Sequence, residues 1–278
     1  MTDDQITPMS FEAMRALSVV EARAAIRCGA YKRHTAGLAA GHLQANLVVL
    51  PEAYASDFAA FCQANPRPCP VVGVTDPGDP FFRDLGVDVD LRSDLPGYNI
   101  YRGGILAEQV SDLSTHWQND LVGFALGCSF TFENAMLRAG IPLWHIAHDT
   151  TVPMYRTNID LAPVGPFSGQ MVVSMRALSP DHVAAAQEIS GRYPWAHGAP
   201  IHVGDPREIG ITDIETPDWG DPVPVSPDQL TCFWACGVTP QAVIAQAKLP
   251  FVISHAPGLM LITDVAETKD ARPTHFQT

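Results

Sequence analysis

Apolar positions come in short bursts separated by loops rich in proline and glycine, and the spacing changes along the chain. Ser10 followed by Met14, Leu17, Ala24 and Ile26 predicts a helix from Phe11 to about Arg27, capped by Ser10 and stopped at Gly29. Tyr54, Phe58, Phe61 and Cys62 share one side of a second helix, Pro51 to Gln63. Cys69 to Thr75 is a continuous apolar run, which suits a strand buried on both faces, as in a parallel sheet. Tyr98–Tyr101 and Ile105–Ala107 flank Gly103-Gly104 and read as a hairpin. Helices are predicted over Thr115–Leu126 and Phe130–Arg138, the latter closed by Gly140, with a strand over Leu143–Ala147 and another over Gln170–Arg176. Ser179-Pro180 opens a helix to about Arg192, and Thr239-Pro240 opens one to about Lys248. Phe251–Ile253 and Leu259–Ile262 are short strands, and the polar end from Glu267 to Thr278 is expected to fray.

Alternating strands and helices indicate an α/β class, a layered α/β sandwich with an inserted smaller α+β domain. The expected division is a main domain of residues 1–110 plus 225–278 and an insert of 111–224. With 46% hydrophobic and 17% charged residues over 278 positions, the composition excludes a disordered chain. The 24 prolines fit many irregular connections.

Seventeen basic against 30 acidic residues leave a formal charge of −13, with no basic run. Nucleic acid and anionic lipid are therefore poor partners, and a small molecule is the better one. No apolar stretch reaches membrane-span length, and Met1-Thr2-Asp3-Asp4 leads into no signal-peptide core. The six cysteines form no C-x-x-C pair and no disulfide spacing, so they read as reduced thiols in a cytoplasmic protein. Homo-oligomer formation is left open.

No P-loop, G-x-S-x-G, H-E-x-x-H or G-x-G-x-x-G is present. Polar clusters remain. Gly127-Cys128-Ser129 precedes a helix and reads as a capped start or a site for a carboxylate. Arg156, Thr157 and Asn158 form a compact donor set, and Arg176 ends an apolar strand; each also suits a structural ion pair. His197 to Asp221 mixes His197, His202, Asp205, Asp213, Asp218 and Asp221 with glycines, a composition suited to catalysis or metal binding without a diagnostic spacing. Cys236 to Gln241 is a strand–turn–helix junction, and His255 sits at a strand end before a tight turn.

The segments QANLVVLP (44–51), DFAAFCQANPRPCP (57–70), SDLPGY (93–98), DLVGFALGCSFTFE (120–133), VPMYRTNI (152–159), VVSMR (172–176), HGAPIHVGDP (197–206), IGITDI (209–214), FWACGVTPQ (233–241) and SHAPG (254–258) together resemble the D-glutamate cyclase family, whose bacterial members are labelled hydro-lyases. Trp144 and Thr151 stand where the family pattern has Arg and Asn, which bears on substrate preference.

The resemblance implies a lyase that dehydrates D-glutamate, or a related small acid, to a lactam such as 5-oxo-D-proline. Such a site needs a base, an acid and a charge stabiliser. The expected assignment gives Arg156 and Arg176 the two carboxylates, with Asn158 among the binding donors. Amides near Ser129 or Thr239 take the oxyanion, and His202 or His255 takes the amine proton. Asp205 or Asp213 serves the leaving oxygen or helps hold a divalent metal, Mn or Mg. The alternatives are an amide hydrolase with Cys128, Ser129 or Cys236 as nucleophile, and a non-catalytic binding protein for a small acid.

Overall fold

The computed structural model describes residues 7–267. The central strand β1 (His42–Pro51) shows why the fold is layered. Leu43, Ala45, Leu47 and Val49 point into one apolar cluster, and Val48 and Leu50 into another. The period of two therefore buries both faces of the strand. One face is covered by the irregular segment carrying Phe82, Leu85, Val89, Leu91 and Leu95. The other is covered by Phe58 and Phe61 of one helix and Val243 and Ile244 of another.

Around β1 lies a seven-stranded sheet completed by β2 (Val71–Val74), β3 (Tyr98–Arg102), β4 (Ile105–Val110), β5 (Leu121–Gly127), β10 (Val252–His255) and β11 (Leu261–Ala266). A second, four-stranded sheet contains β6 (Met154–Asp160), β7 (Gln170–Leu178), β8 (His202–Val203) and β9 (Leu230–Ala235) in the order β6-β7-β9-β8. The helices are α1 (Phe11–Arg15), α2 (Val19–Arg27), α3 (Glu52–Ala64), α4 (Phe130–Arg138), α5 (Trp144–Ala147), α6 (Pro180–Gly191) and α7 (Thr239–Ala247). The result is an α/β fold with two sheet bodies. No helix among the described residues is long and apolar enough to cross a membrane.

Several elements differ from the sequence expectation. The first helix is broken in two, because Ser18 and Glu21 form a reciprocal capping box that starts α2 afresh. The segment expected as a helix over Thr115–Leu126 ends in β5, paired with β1 from Leu121 to Gly127. Its LVGFALG run buries every side chain, and such a run has no period that separates strand from helix. Leu143–Ala147, expected as a strand, holds the short α5. The run at Cys69–Thr75 yields β2, an edge strand pairing only with β5, and every strand pair among the described residues is antiparallel rather than parallel. The sheets also part differently from the expected boundaries: β5 belongs with the large sheet and β9 with the small one. Of the tail expected to fray, residues 268–278 lie outside the described residues, as does the start at 1–6; Glu267 itself is buried against Arg138.

One feature of the large sheet prepares the site. β10 and β11 share the same edge of β1, β11 along His42–Ala45 and β10 along Val48–Val49. The ladder is interrupted between them at Asn46, and the connection at 256–260 leaves the sheet there.

Candidate active site

Two chain reversals meet at that interruption. β5 turns through Cys128-Ser129 into α4, and β9 turns through Cys236-Gly237-Val238 into α7. Each turn presents helix N-terminal amides to the same place. Ser129 and Val238 occupy the N-cap positions, yet neither helix has a side-chain cap. Both ends are buried. Uncapped, buried amides at a helix start carry partial positive charge and need an acceptor. The Phe130 amide lies near the Cys128 sulfur and the Gly237 and Val238 amides near that of Cys236, and a thiol is a weak acceptor.

Between the two helix ends lies a tight cavity of about 10 Å³, lined by Asn46, Cys128, Ser129, Phe130, His197, Cys236, Gly237 and Val238 and closed by Val152, Met154, Gly258 and Met260. Its walls come together because two glycines permit close approach. A Cβ on Gly237 would sit 2.0 Å from Asn46 Nδ2, and one on Gly127 would sit 1.6 Å from the Trp195 carbonyl oxygen. The second contact lets the turn Pro194–Ala196, and with it His197, lie against the end of β5.

His197 is 1% exposed. Its Nδ1–H donates to the Arg67 carbonyl at 2.7 Å, which leaves Nε2 as the lone-pair nitrogen. That Nε2 is buried and has no hydrogen-bond partner among the described residues. Burial pushes the imidazole down to about 4, and the charges of Arg176 and Arg67 add to the shift, against the pull of the Arg67 carbonyl. At neutral pH it is therefore a neutral acceptor on the cavity wall.

Behind Ser129 stands a buried ionic cluster. Glu133 on α4 accepts from the Arg176 guanidinium and from His145 Nε2 at 3.1 Å. Arg176 also donates to Ser174 Oγ at 2.8 Å and to Ser129 Oγ at 2.9 Å. Burial raises the Glu133 carboxyl, and His145 and Arg176 more than offset it, so it stays ionised below the ordinary carboxylate range. Because Ser129 Oγ accepts from Arg176, its own hydroxyl proton is left for another acceptor.

Of the residues given roles in the expected dehydration, Ser129 alone lines this cavity; the alternative nucleophiles Cys128 and Cys236 line it as well. Arg176 lies behind it, with its donors used by protein groups rather than held out to a carboxylate. Arg156 is exposed, beside Asp218 at 3.4 Å and over the Trp219 ring at 4.7 Å. Asn158 is exposed and packs against Gly210. Thr239 is consumed by the Val172 backbone, accepting at 3.0 Å and donating at 3.1 Å. His255 is wholly buried, its ring nitrogens occupied by the Leu47 backbone at 3.1 Å and the Gln241 amide at 3.0 Å, and burial lowers it to about 4. His202 donates from Nε2 to the Asp205 carbonyl at 2.9 Å on the edge strand β8. Asp205 is bound by Arg207, which holds its carboxyl down at about 2. Asp213 accepts from Thr216 and the Glu215 amide and is lowered by them. These are satisfied local turns. The expected gathering of Arg156, Arg176, His202 and His255 in one pocket does not occur.

Among the described residues no group of three or more His, Cys, Asp or Glu is placed to hold a metal ion, and the Asp205 and Asp213 carboxylates bond within their own loops. The thiols on the cavity wall are weak nucleophiles: burial raises Cys128 far above its ordinary range and Cys236 to about 11. Sequence reasoning favours His202 over His197 and passes over Glu133 and His145. The local signal for His197 is the compact Tyr193-Pro194-Trp195-Ala196-His197-Gly198 turn, which places an imidazole at a left-handed position, φ 78°.

Within this α/β fold, a neutral buried imidazole and two helix starts without side-chain caps line one cavity. The sequence profile of the D-glutamate cyclase family matches residues 122–264, which hold every lining residue of the cavity except Asn46. The chain is 57% identical over 257 residues to a protein of Dinoroseobacter shibae, covering 92% of this chain and 86% of that one. It is 58% identical over 259 residues to one of Ruegeria pomeroyi, covering 93% and 94%. A Rhodopseudomonas palustris relative is 56% identical over 254 residues, covering 91% and 93%. Each bears the name "Putative hydro-lyase". Among solved structures, a nitrogen repressor-like protein from Methanococcus jannaschii aligns with a TM-score of 0.37 at 10% identity over 87% of this chain and 97% of that one, too slight a likeness to inform fold or function. The chain belongs to the D-glutamate cyclase family, and it is a lyase of the hydro-lyase type.

Proposed function

We propose that the protein dehydrates D-glutamate, or a closely related small acid, to a five-membered lactam such as 5-oxo-D-proline, in the cavity between α4 and α7. The observation that carries this is the unpartnered Nε2 of His197 on the same wall as two uncapped helix ends.

The substrate's nitrogen attacks its own γ-carboxyl carbon. The C–N bond forms, one C–O bond breaks, and two protons pass from the ammonium to the departing oxygen, which leaves as water. No external proton or co-reactant is consumed. Because both reacting groups belong to one molecule, holding it folded supplies much of the rate. The amides at Phe130, Gly237 and Val238 suit the γ-carboxylate and then the oxyanion that develops on it. Ser129, with its oxygen engaged by Arg176, has a hydroxyl proton to donate to the same group.

His197 carries the protons. It takes one from the ammonium, returns it to the leaving oxygen, and repeats. An imidazole at about 4 is a weak base in the empty site. An entering carboxylate raises it, because a nearby negative charge favours the protonated form. Substrate binding thus brings the base toward the pKa at which proton transfer is efficient.

Incubation of the purified protein with D-glutamate, with L-glutamate as control, and chromatographic detection of 5-oxoproline tests the reaction. No product from D-glutamate removes the substrate assignment. Full activity in a folded His197→Gln variant removes the base.

A further inference from the structure

The imidazole is held by a segment far away in sequence. The turn between α3 and β2 carries Pro66-Arg67-Pro68, and prolines on both sides narrow the backbone choices of Arg67. Arg67 grips the His197 turn twice. Its carbonyl accepts from His197 Nδ1 at 2.7 Å, and its guanidinium donates to the Ala199 carbonyl. Among the described residues Arg67 has no carboxylate partner in an ion pair, so nothing draws the guanidinium elsewhere. The gripped turn needs holding: His197 sits at φ 78°, a left-handed backbone that is strained for a non-glycine residue.

We infer that Arg67 is a positioning residue for the reaction, which fixes His197 in the Nδ1–H tautomer so that the Nε2 lone pair is presented to the cavity. The tautomer decides the chemistry. With the proton on Nε2 the same ring would offer the substrate a donor where a base is required. A carbonyl can only accept, so a carbonyl at Nδ1 selects the productive form. The guanidinium keeps that carbonyl in place by tying residue 67 to residue 199, two positions beyond the imidazole in the chain. The inference rests on His197 being the base, and its test separates the two.

Two-bond 1H–15N correlation spectra of the full chain with 15N-labelled histidine read the tautomer directly, the His197 signals being assigned by their loss in His197→Gln. The wild type is expected to show Nδ1 protonated and Nε2 bare. Arg67→Ala keeps the carbonyl but loses the tie. It is expected to average the two His197 nitrogens and to lower kcat about tenfold while KM moves less than about twofold. Arg67→Lys, which can still donate to Ala199, restores most of the tautomer signature. Arg67 is exposed, so both variants should fold. An unchanged His197 signature in Arg67→Ala overturns the inference, and so does a wild-type ring protonated on Nε2. If the signature shifts as expected while His197→Gln keeps full activity, Arg67's hold on the imidazole stands, but the assignment of the base fails and with it Arg67's part in the reaction.

Discussion

Two polar regions of the molecule invite the same reading from their residues and turn out to be opposites. The segment from His202 to Asp221 is rich in histidine and aspartate, but its polar groups are answered locally: Asp205 by Arg207, Asp213 by Thr216, His202 by the Asp205 carbonyl. The cavity is lined mainly by apolar residues, cysteines and glycine, yet it holds the unpartnered His197 Nε2 beside two helix starts whose Phe130, Gly237 and Val238 amides meet only cysteine sulfurs. Unmet hydrogen-bonding demand in a buried place does not follow the density of reactive letters in the sequence. A buried donor or acceptor left open is costly.

The sharpest way to break this contrast is to exchange the histidines. His197→Gln is expected to lower kcat/KM for the lactam-forming reaction by roughly 10²- to 10⁴-fold with the fold intact by circular dichroism. His202→Gln should stay within about twofold of wild type. A larger loss at His202 would reverse the ranking of the two regions.

A second effect of similar size lies in stability. Arg176→Met leaves Glu133 ionised and buried beside His145 alone, and should cost about 3–5 kcal/mol in chemical denaturation. Arg176→Met combined with Glu133→Gln should be less damaging than Arg176→Met alone, because the stranded charge is gone. Additive losses would mean that the two side chains do not act as a pair.

The pH dependence follows from the buried imidazoles. His197 and His255 are each lowered to about 4 in the folded protein, against about 6.5 for an unfolded histidine. The unfolded chain therefore binds protons first as pH falls. The stability contributed by keeping these rings neutral is complete above about pH 6.5 and is lost progressively down to about pH 4, on the order of 3 kcal/mol for each ring. Denaturation midpoints measured at intervals from pH 7.5 to 4.5 check this, and a flat profile over that window would contradict the burial of both rings.

The smallest expected effects belong to the exposed segment. Asp213→Ala and Asp205→Ala each remove a local turn contact and should leave the denaturation midpoint close to that of the wild type. Treatment with a chelator should leave turnover of D-glutamate unchanged, since the aspartates do not assemble with histidine into a ligand set among the described residues. A metal-dependent rate would mean that these carboxylates rearrange on binding.

The amino-acid sequence by itself determined which stretches are apolar enough to be core, the start of α6 at Ser179-Pro180, the hairpin around Gly103-Gly104, and the family, because these depend on neighbours in the chain or on long shared strings. Tertiary structure alone decided that the LVGFALG run is a strand, since a run buried on all sides has no period and only its seven-residue ladder with β1 distinguishes it from a helix. It also decided which of three candidate histidines keeps a buried ring nitrogen without a partner. His197, His202 and His255 look alike as letters; what separates them is the partner each ring nitrogen meets, and the partners of His197 and His255 come from residues 67, 47 and 241. Hydrogen-bond satisfaction is a property of groups brought together in space, and no spacing along the chain records it.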